Sequence, residues 1–356
     1  MLRYTNLCMK KNNQEKTPVF CTFQDAPKHR FRNHPEAPSR LQPMTGWLEN
    51  VPFPEITWLD FFPASEGEVL LAHDPSLLSF LKAESAKGAH EFETSPSYVT
   101  ASSYDLALGA AGAVLAVSRK ILSQGKGRGF AIVRPPGHHA GPDRAMGFCL
   151  LNNLAIAAAD TVTSGLKRVA ILDIDAHHGN GTQAIFWHSP EVGFLSIHER
   201  DIFPGTGMII DARHALGRII NVPLPSFSGN AVYLDIYERL VKPWLFAFEP
   251  EMIFVSAGFD THFSDPLTTL SLDTGGIYRL SQMLLDWADE LCEGRVMYVL
   301  EGGYDPTALT DNVRACLAAM SGREAPVDHF GTAPELRTSI DSLISDLIQR
   351  HHLEEI

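Results

Sequence analysis

The chain has 356 residues, 45% of them hydrophobic, with 29 lysines and arginines against 42 aspartates and glutamates, a formal net charge of −13. This composition supports a sizeable core, no apolar run reaches the roughly 18 residues of a membrane span, and the acidic balance excludes a general electrostatic grip on nucleic acid or anionic lipid. Five cysteines (Cys8, Cys21, Cys149, Cys292, Cys316) with no Cys-x-x-Cys pair exclude a disulfide framework and a structural zinc cluster, which points to a reducing compartment such as the cytoplasm.

Residues 1–16 are polar and mildly basic and read as a flexible tail ahead of a catalytic unit over residues 17–356. Val19 to Phe23 reads as a first strand. The loop after it carries Asp25, His29, His34, Glu36 and Arg40, and Pro35, Pro38 and Pro43 are expected to keep it extended. Val51 to Pro63 is proline-broken and aromatic, a surface segment, and Glu68 to Glu84 has near-helical leucine spacing interrupted at His73-Asp74-Pro75. Ser102 or Ser103 caps a helix reaching about Leu122 and ended by the Gly125 to Gly129 cluster. Its small face, Ala107, Ala110, Ala111 and Val114, suits close packing on a sheet. Phe130 to Val133, Val169 to Leu172, Val192 to Ile197, Ile219 to Val222, Met252 to Val255 and Val296 to Leu300 read as short buried strands. They alternate with helices such as Asn152 to Thr163, Ala231 to Phe248 and Gly276 to Leu291. Leu336 to Gln349 closes the chain as a helix with Ile340, Leu343, Ile344 and Leu347 on one docking face. Length alone suggests about two domains, yet no linker or repeat divides the chain. Apolar strands alternating with helices predict an α/β fold with a mainly parallel sheet covered on both faces.

In such a sheet, ligands bind beyond the carboxyl ends of the strands. The polar clusters sit there: His138-His139, Asp173 to His178, Asp260, and Glu301-Gly-Gly-Tyr304. Ile171 to Thr182 is the densest, a core strand delivering two carboxylates and two imidazoles into a glycine-rich turn. Residues two apart in a strand share a side, so Asp173, Asp175 and His177 are expected to converge just past its end. Capping and packing roles are the alternative, and four ligand-type residues in six positions argue against it. Asp175, His177 and Asp260 make an oxygen and nitrogen set suited to zinc or another first-row divalent ion, which acidifies bound water and polarises a carbonyl. His138 and His139, after the rigid Arg134-Pro-Pro-Gly turn, would move protons, and Tyr304 would donate its hydroxyl to a developing oxyanion.

Arg134-Pro-Pro-Gly-His-His-Ala, Gly147-Phe-Cys-Leu-Leu-Asn-Asn, Asp173-Ile-Asp-Ala-His-His-Gly-Asn-Gly-Thr-Gln, Phe203-Pro-Gly-Thr-Gly, Asn221-Val-Pro-Leu-Pro, Ser256-Ala-Gly-Phe-Asp260, Asp265-Pro-Leu and Glu301-Gly-Gly-Tyr occur in that order. Together, over about Val19 to Ser321, they resemble the zinc-dependent histone deacetylase superfamily, which also holds acetylpolyamine amidohydrolases and acetoin-utilisation proteins. The resemblance implies a single-domain arginase/deacetylase fold with a mainly parallel eight-stranded sheet between helices. It implies one catalytic Zn2+ on Asp175, His177 and Asp260, His139 as general base and acid, and His138 as electrostatic partner oriented by Asp173. Asn180 stands where many members have Asp behind the second histidine, a class II-like trait expected to tune that imidazole. Tyr304 is retained. Phe148 and Phe203, with Gly147 and Leu267, would line the acyl-lysine tunnel, and Arg40 an inner acetate channel. Asp173, Asp175, His177, Ser196 and Ile197 resemble a structural K+ site. His178 and Cys149 are expected to pack or hydrogen-bond only, and His188, His198, His214 and His262 to be structural or surface residues.

Two stretches depart from the family, Met208 to Arg218, which lacks most of its glycines, and Glu91 to Thr100, which lacks a clear acidic substrate-gripping residue. Both touch the rim. A two-metal ureohydrolase would need a carboxylate where Gly179 stands. An acetylpolyamine branch would carry a gatekeeper Glu where Leu267 stands, so an acyl-lysine protein or peptide is the expected substrate and a small acetylated amine the alternative. A non-catalytic acyl-lysine reader would need a lost ligand, histidine or tyrosine, and none is lost.

Overall fold

The computed structural model describes residues 17–48, 53–92, 97–334 and 339–353. The expected 1–16 tail therefore lies outside the described residues, as do parts of the Val51, Glu91 and Leu336 segments. In chain order the strands are β1 (Val19–Gln24), β2 (Ile56–Trp58), β3 (His90–Glu91), β4 (Tyr98–Val99), β5 (Arg128–Val133), β6 (Val169–Asp173), β7 (Val192–Glu199), β8 (Ile219–Leu224), β9 (Met252–Ala257) and β10 (Val296–Leu300). The principal helices are α1 (Gln42–Leu48), α2 (Glu66–Val69), α3 (Pro75–Ala86), α4 (Ser103–Gln124), α5 (Asn153–Thr163), α6 (Asn180–Ile185), α7 (Asn230–Ile236), α8 (Lys242–Phe248), α9 (Thr274–Cys292), α10 (Pro306–Met320) and α11 (Asp341–His351).

Eight strands form one sheet in the order β2-β1-β5-β10-β9-β6-β7-β8, every neighbouring pair parallel, and β3 pairs with β4 in a separate antiparallel hairpin. Each central strand is buried on both faces because its residues alternate between two helical layers. In β6, Ala170 and Leu172 join the core built on α9, α10 and α11, while Val169 and Ile171 join the core built on α3, α4 and α5. α4 turns its small residues Ala107, Ala110, Ala111 and Val114 into that second core, and Gly125, in the left-handed region at φ 70°, ends it. It is the one helix among the described residues long and apolar enough to cross a membrane, and most of it is buried inside the protein.

The chain enters β6 from β5 by skipping two places, builds outward through β7 and β8, and returns to fill the gap with β9 and β10. That return brings the carboxyl ends of β5, β10, β9 and β6 side by side, the topological position at which open α/β sheets bind ligands.

Three expectations need correction. The proline-rich loop is not extended throughout: a 3-10 turn at Pro38–Leu41 runs into α1, because Pro38 and Pro43 occupy first-turn positions where the missing N–H costs nothing. The surface segment at Val51 to Pro63 contributes an eighth strand, β2, an edge strand with only Ile56 buried, too short to show a period. The helix expected over Ala231 to Phe248 is interrupted by a wider π turn at Tyr237–Val241.

Candidate active site

Four neighbouring strand ends supply the polar groups: β5 leads to His138 and His139, β6 to Asp175 and His177, β9 to Asp260, and β10 to residues 301–304. Asp175 Oδ1 and Asp260 Oδ2 lie 3.1 and 2.9 Å from His177 Nδ1, and one ligand atom of each residue is within 4.8 Å of the other two. The remaining carboxylate oxygens are fixed by backbone donors. Gly302 N–H donates to Asp175 Oδ2 and Ala176 N–H to Asp260 Oδ1, each at 2.9 Å. Burial and then the facing Asp175 raise the pKa of Asp260, against the opposing pull of His177.

Glycine is required where these carboxylates crowd the backbone. A Cβ on Gly302 would lie 2.4 Å from Asp260 Oδ2 and 2.6 Å from Asp175 Oδ2, and one on Gly179 would lie 2.0 Å from Asp173 Oδ2. The second contact leaves no room at position 179 for the bridging carboxylate of a two-metal centre.

The two adjacent histidines are tuned in opposite directions. Burial disfavours charge on His138, but Asp175 and then Asp173, at 3.1 Å from Nδ1, outweigh it and push the pKa up to about 10. Burial, reinforced by His138 and His177, holds His139 well below the usual histidine value. His139 Nδ1 faces Asn180 Oδ1 at 2.7 Å, so the single proton of the neutral ring sits on Nδ1 and Nε2 is left as an acceptor. Glu301 sets the turn that carries both rings, accepting Gly137 N–H at 2.6 Å and His138 N–H at 3.0 Å.

Beside these three converging side chains lies a pocket of about 320 Å³ lined by His139, Gly147, Phe148, His177, Phe203, Leu267 and Tyr304. The Phe203 ring meets His139 edge-on at 4.9 Å, and the Phe148 ring meets Tyr304 at 5.9 Å. Gly147 and Phe148 are both in the left-handed region, φ 56° and 68°, and a Cβ on Gly147 would lie 2.5 Å from the His139 ring. Asp265 ties the rim to the site, taking Tyr304 N–H at 2.7 Å and Leu267 N–H at 2.9 Å. Burial pushes the Tyr304 hydroxyl well above the usual tyrosine range, against the opposing charge of Arg40, so it stays a proton donor.

Residues 34–320 match the family model of the histone deacetylase domain. The chain belongs to the histone deacetylase family. It is 38% identical over 296 residues to a probable deacetylase of Archaeoglobus fulgidus, covering 81% of this chain and 82% of that one. It is 35% identical to a chloroplastic histone deacetylase 10 of Oryza sativa subsp. japonica, covering 88% and 75%. The crystal structure of the HDA15 HD domain superposes with a TM-score of 0.78 at 31% identity, covering 86% of this chain and 91% of that chain. A deacetylase or amidohydrolase activity follows from that membership.

The other motif residues of this histone deacetylase family chain lie outside the pocket. His178 bonds Thr206 Oγ1 at 2.8 Å and Gln183 Oε1 at 3.1 Å, and Cys149 is a buried thiol. His262 pairs with Asp328 at 2.9 Å, while His214 approaches Trp187 and His188. Arg40 does not line the pocket. It is buried behind Tyr304, its guanidinium 4.9 Å from the ring centroid and donating to the carbonyls of Gly303 and Glu301, each at 2.6 Å. Asp173 pairs in register with Ser196, and both are buried, as is Ile197. His198 Nε2 lies 3.0 Å from the Gly207 carbonyl and so carries the ring proton. Ser196 O–H therefore donates to His198 Nδ1 at 2.9 Å, leaving the serine oxygen's lone pairs open.

Sequence reasoning assigned no role to Glu36, Asp265 or Glu301, the carboxylates that hold the site's frame. The one local signal was Glu36, which stands four residues before Arg40, a helical ion-pair spacing that the surrounding prolines obscured.

Proposed function

We propose that the protein is a zinc-dependent amidohydrolase that removes acetyl groups from lysine side chains of proteins or peptides. The observation that carries this is the convergence of Asp175, His177 and Asp260 beside a neutral His139 and a protonated Tyr304 at the foot of an apolar pocket. Two carboxylates and one imidazole suit a divalent zinc ion and leave coordination positions for water and substrate. Such an ion, when bound, polarises the acyl oxygen and acidifies the attacking water. His139 Nε2 takes the proton of that water and delivers it to the departing amine, so that amide and water become acetate and a lysine ammonium. His138, held by Asp173, supplies positive charge next to His139. Tyr304 donates its hydroxyl to the oxygen on which charge develops.

Phe148, Phe203 and Leu267 give apolar walls that fit the four-carbon lysine stem and offer no carboxylate to a polyamine's second amine, which favours acyl-lysine over acetylpolyamine. For structural potassium, the open Ser196 oxygen beside Asp173 supports the set Asp173, Asp175, His177, Ser196 and Ile197. Cys21, Cys149, Cys292 and Cys316 are buried thiols, which supports a reducing compartment such as the cytoplasm.

The test is side-by-side acetate release from an acetyl-lysine peptide, acetylspermidine and a longer acyl-lysine peptide, with a hydroxamate chelator as control. The acetyl-lysine peptide is expected to give the highest kcat/KM, and the chelator to abolish turnover. Faster acetylspermidine turnover overturns the lysine assignment, and no acetate from any substrate with zinc-replete protein overturns the hydrolase reading. A separate expectation concerns the ligands. Gly302→Ala drives a methyl into both carboxylates and lowers zinc affinity about tenfold or more, read by titration against a competing zinc dye.

A further inference from the structure

A basic patch of this acidic protein adjoins the acyl pocket. A cavity of about 770 Å³ is lined by Asp25, Arg30, Arg32, His34, Ser39 and Thr45, among other residues of the β1–α1 connection. Arg30 and Arg32 are exposed, and neither guanidinium has an ion-pair or hydrogen-bond partner among the described residues. Lys28 is exposed beside them, and Asp25 is the one carboxylate in the lining. Behind this wall, Arg134 and Arg40 both pair with the buried carboxylate of Glu36. Charge of that sign is concentrated here in a chain whose net charge is −13.

The cavity adjoins the acyl pocket. His34, which lines it, meets the Phe148 ring edge-on at 4.6 Å, and Phe148 is a wall of the acyl pocket. An extended peptide advances about 3.3 Å per residue, so residues two or three positions from a lysine held in the pocket lie roughly 7–10 Å further along the chain.

We propose that Arg30 and Arg32 form a docking subsite for a carboxylate side chain of the peptide substrate, two or three residues from the acyl-lysine. The inference rests on the acyl-lysine reading given above. Planar guanidinium groups suit a carboxylate by paired N–H donors, and they offset the repulsion that the acidic protein otherwise exerts on an acidic peptide.

Three acetyl-lysine peptides test this, identical except for aspartate, asparagine or lysine two and three positions from the acetyl-lysine. With the wild type, kcat/KM for the aspartate peptide exceeds that of the asparagine peptide by about fivefold at low salt, mainly through KM, and the ratio shrinks as salt rises. In Arg30→Gln/Arg32→Gln the ratio falls to about one while the asparagine peptide serves as the internal reference. Fluorescence anisotropy of the same labelled peptides reads binding independently of turnover. Equal kcat/KM and equal binding for aspartate and asparagine peptides overturn the docking subsite and leave the deacetylase reading standing. Charge-dependent binding that is lost in the double variant, with no acetate released from any peptide, keeps the subsite and overturns the deacetylase reading. Inorganic phosphate that displaces aspartate and asparagine peptides equally marks a small-anion site and overturns the assignment to substrate.

Discussion

Tyr304→Phe is expected to lower kcat by about a hundredfold to a thousandfold, the loss typical of removing one oxyanion donor. The substitution isolates the hydroxyl because everything else that fixes this residue survives. Its N–H still reaches Asp265 at 2.7 Å, the preceding carbonyl of Gly303 still accepts from Arg40 at 2.6 Å, and the Arg40 guanidinium still covers the ring at 4.9 Å. Phenylalanine also preserves the pocket wall against Phe148. KM should therefore change little while kcat and kcat/KM fall together, the pattern of an interaction made only in the transition state. Steady-state kinetics on an acetyl-lysine peptide measure it, with a thermal unfolding curve to show the fold intact. An unchanged kcat removes Tyr304 from the chemistry.

Glu36→Gln is expected to destabilise the fold by about 3–5 kcal/mol, because it strips the counter-charge from two buried arginines. Glu36 is fully buried and receives Arg134 through Nε at 2.5 Å and NH2 at 2.8 Å, and Arg40 through NH1 at 3.2 Å. Burial by itself would raise its pKa, but the Arg134 guanidinium, with His29 and Arg40, reverses the shift and holds the carboxyl well below the usual range. A depressed folded-state pKa means the stabilisation is present above the unfolded value of about 4.3 and is lost as pH falls below it toward the folded value. The wild type should thus lose stability steeply on acidification, and Glu36→Gln should flatten that part of the curve. At roughly 2 °C per kcal/mol for a chain of this size, thermal unfolding across pH 3–7 reads both effects. A neutral substitution with an unaltered acid limb would show that the arginines find other partners.

The consequence reaches the active site. Arg40 links Glu36 to the Gly303 and Glu301 carbonyls, and Glu301 holds the turn of His138 and His139. Loss of Glu36 therefore loosens the Tyr304 loop and the histidine turn together.

Local pattern was enough for the seven buried strands of the main sheet, since apolar runs this short, ended by polar or turn residues, favour a buried strand over a helix. It failed at β2, three residues long and mostly exposed, and at α1, where prolines that usually break helices occupy a first turn. The ligand types were legible because carboxylates and imidazoles after buried strands have few structural uses. Their division came from the family resemblance and not from the spacing: Asp173 ends β6 and Asp175 stands two residues on, yet Asp173 turns to His138 and Asp175 to His177 and Asp260.

By itself, then, the sequence determined the strand-and-helix rhythm, the residues at the strand ends and the family they belong to, because each depends on neighbours close along the chain. Only the tertiary structure decided which of those residues touch. Glu36, Glu301 and Asp265 act through partners that are, respectively, 98, 164 and 39 positions away, separations that no local period encodes. The same holds for Arg30 and Arg32 beside the pocket, because having no partner among the described residues is a property of the folded surface and not of the residues that flank them.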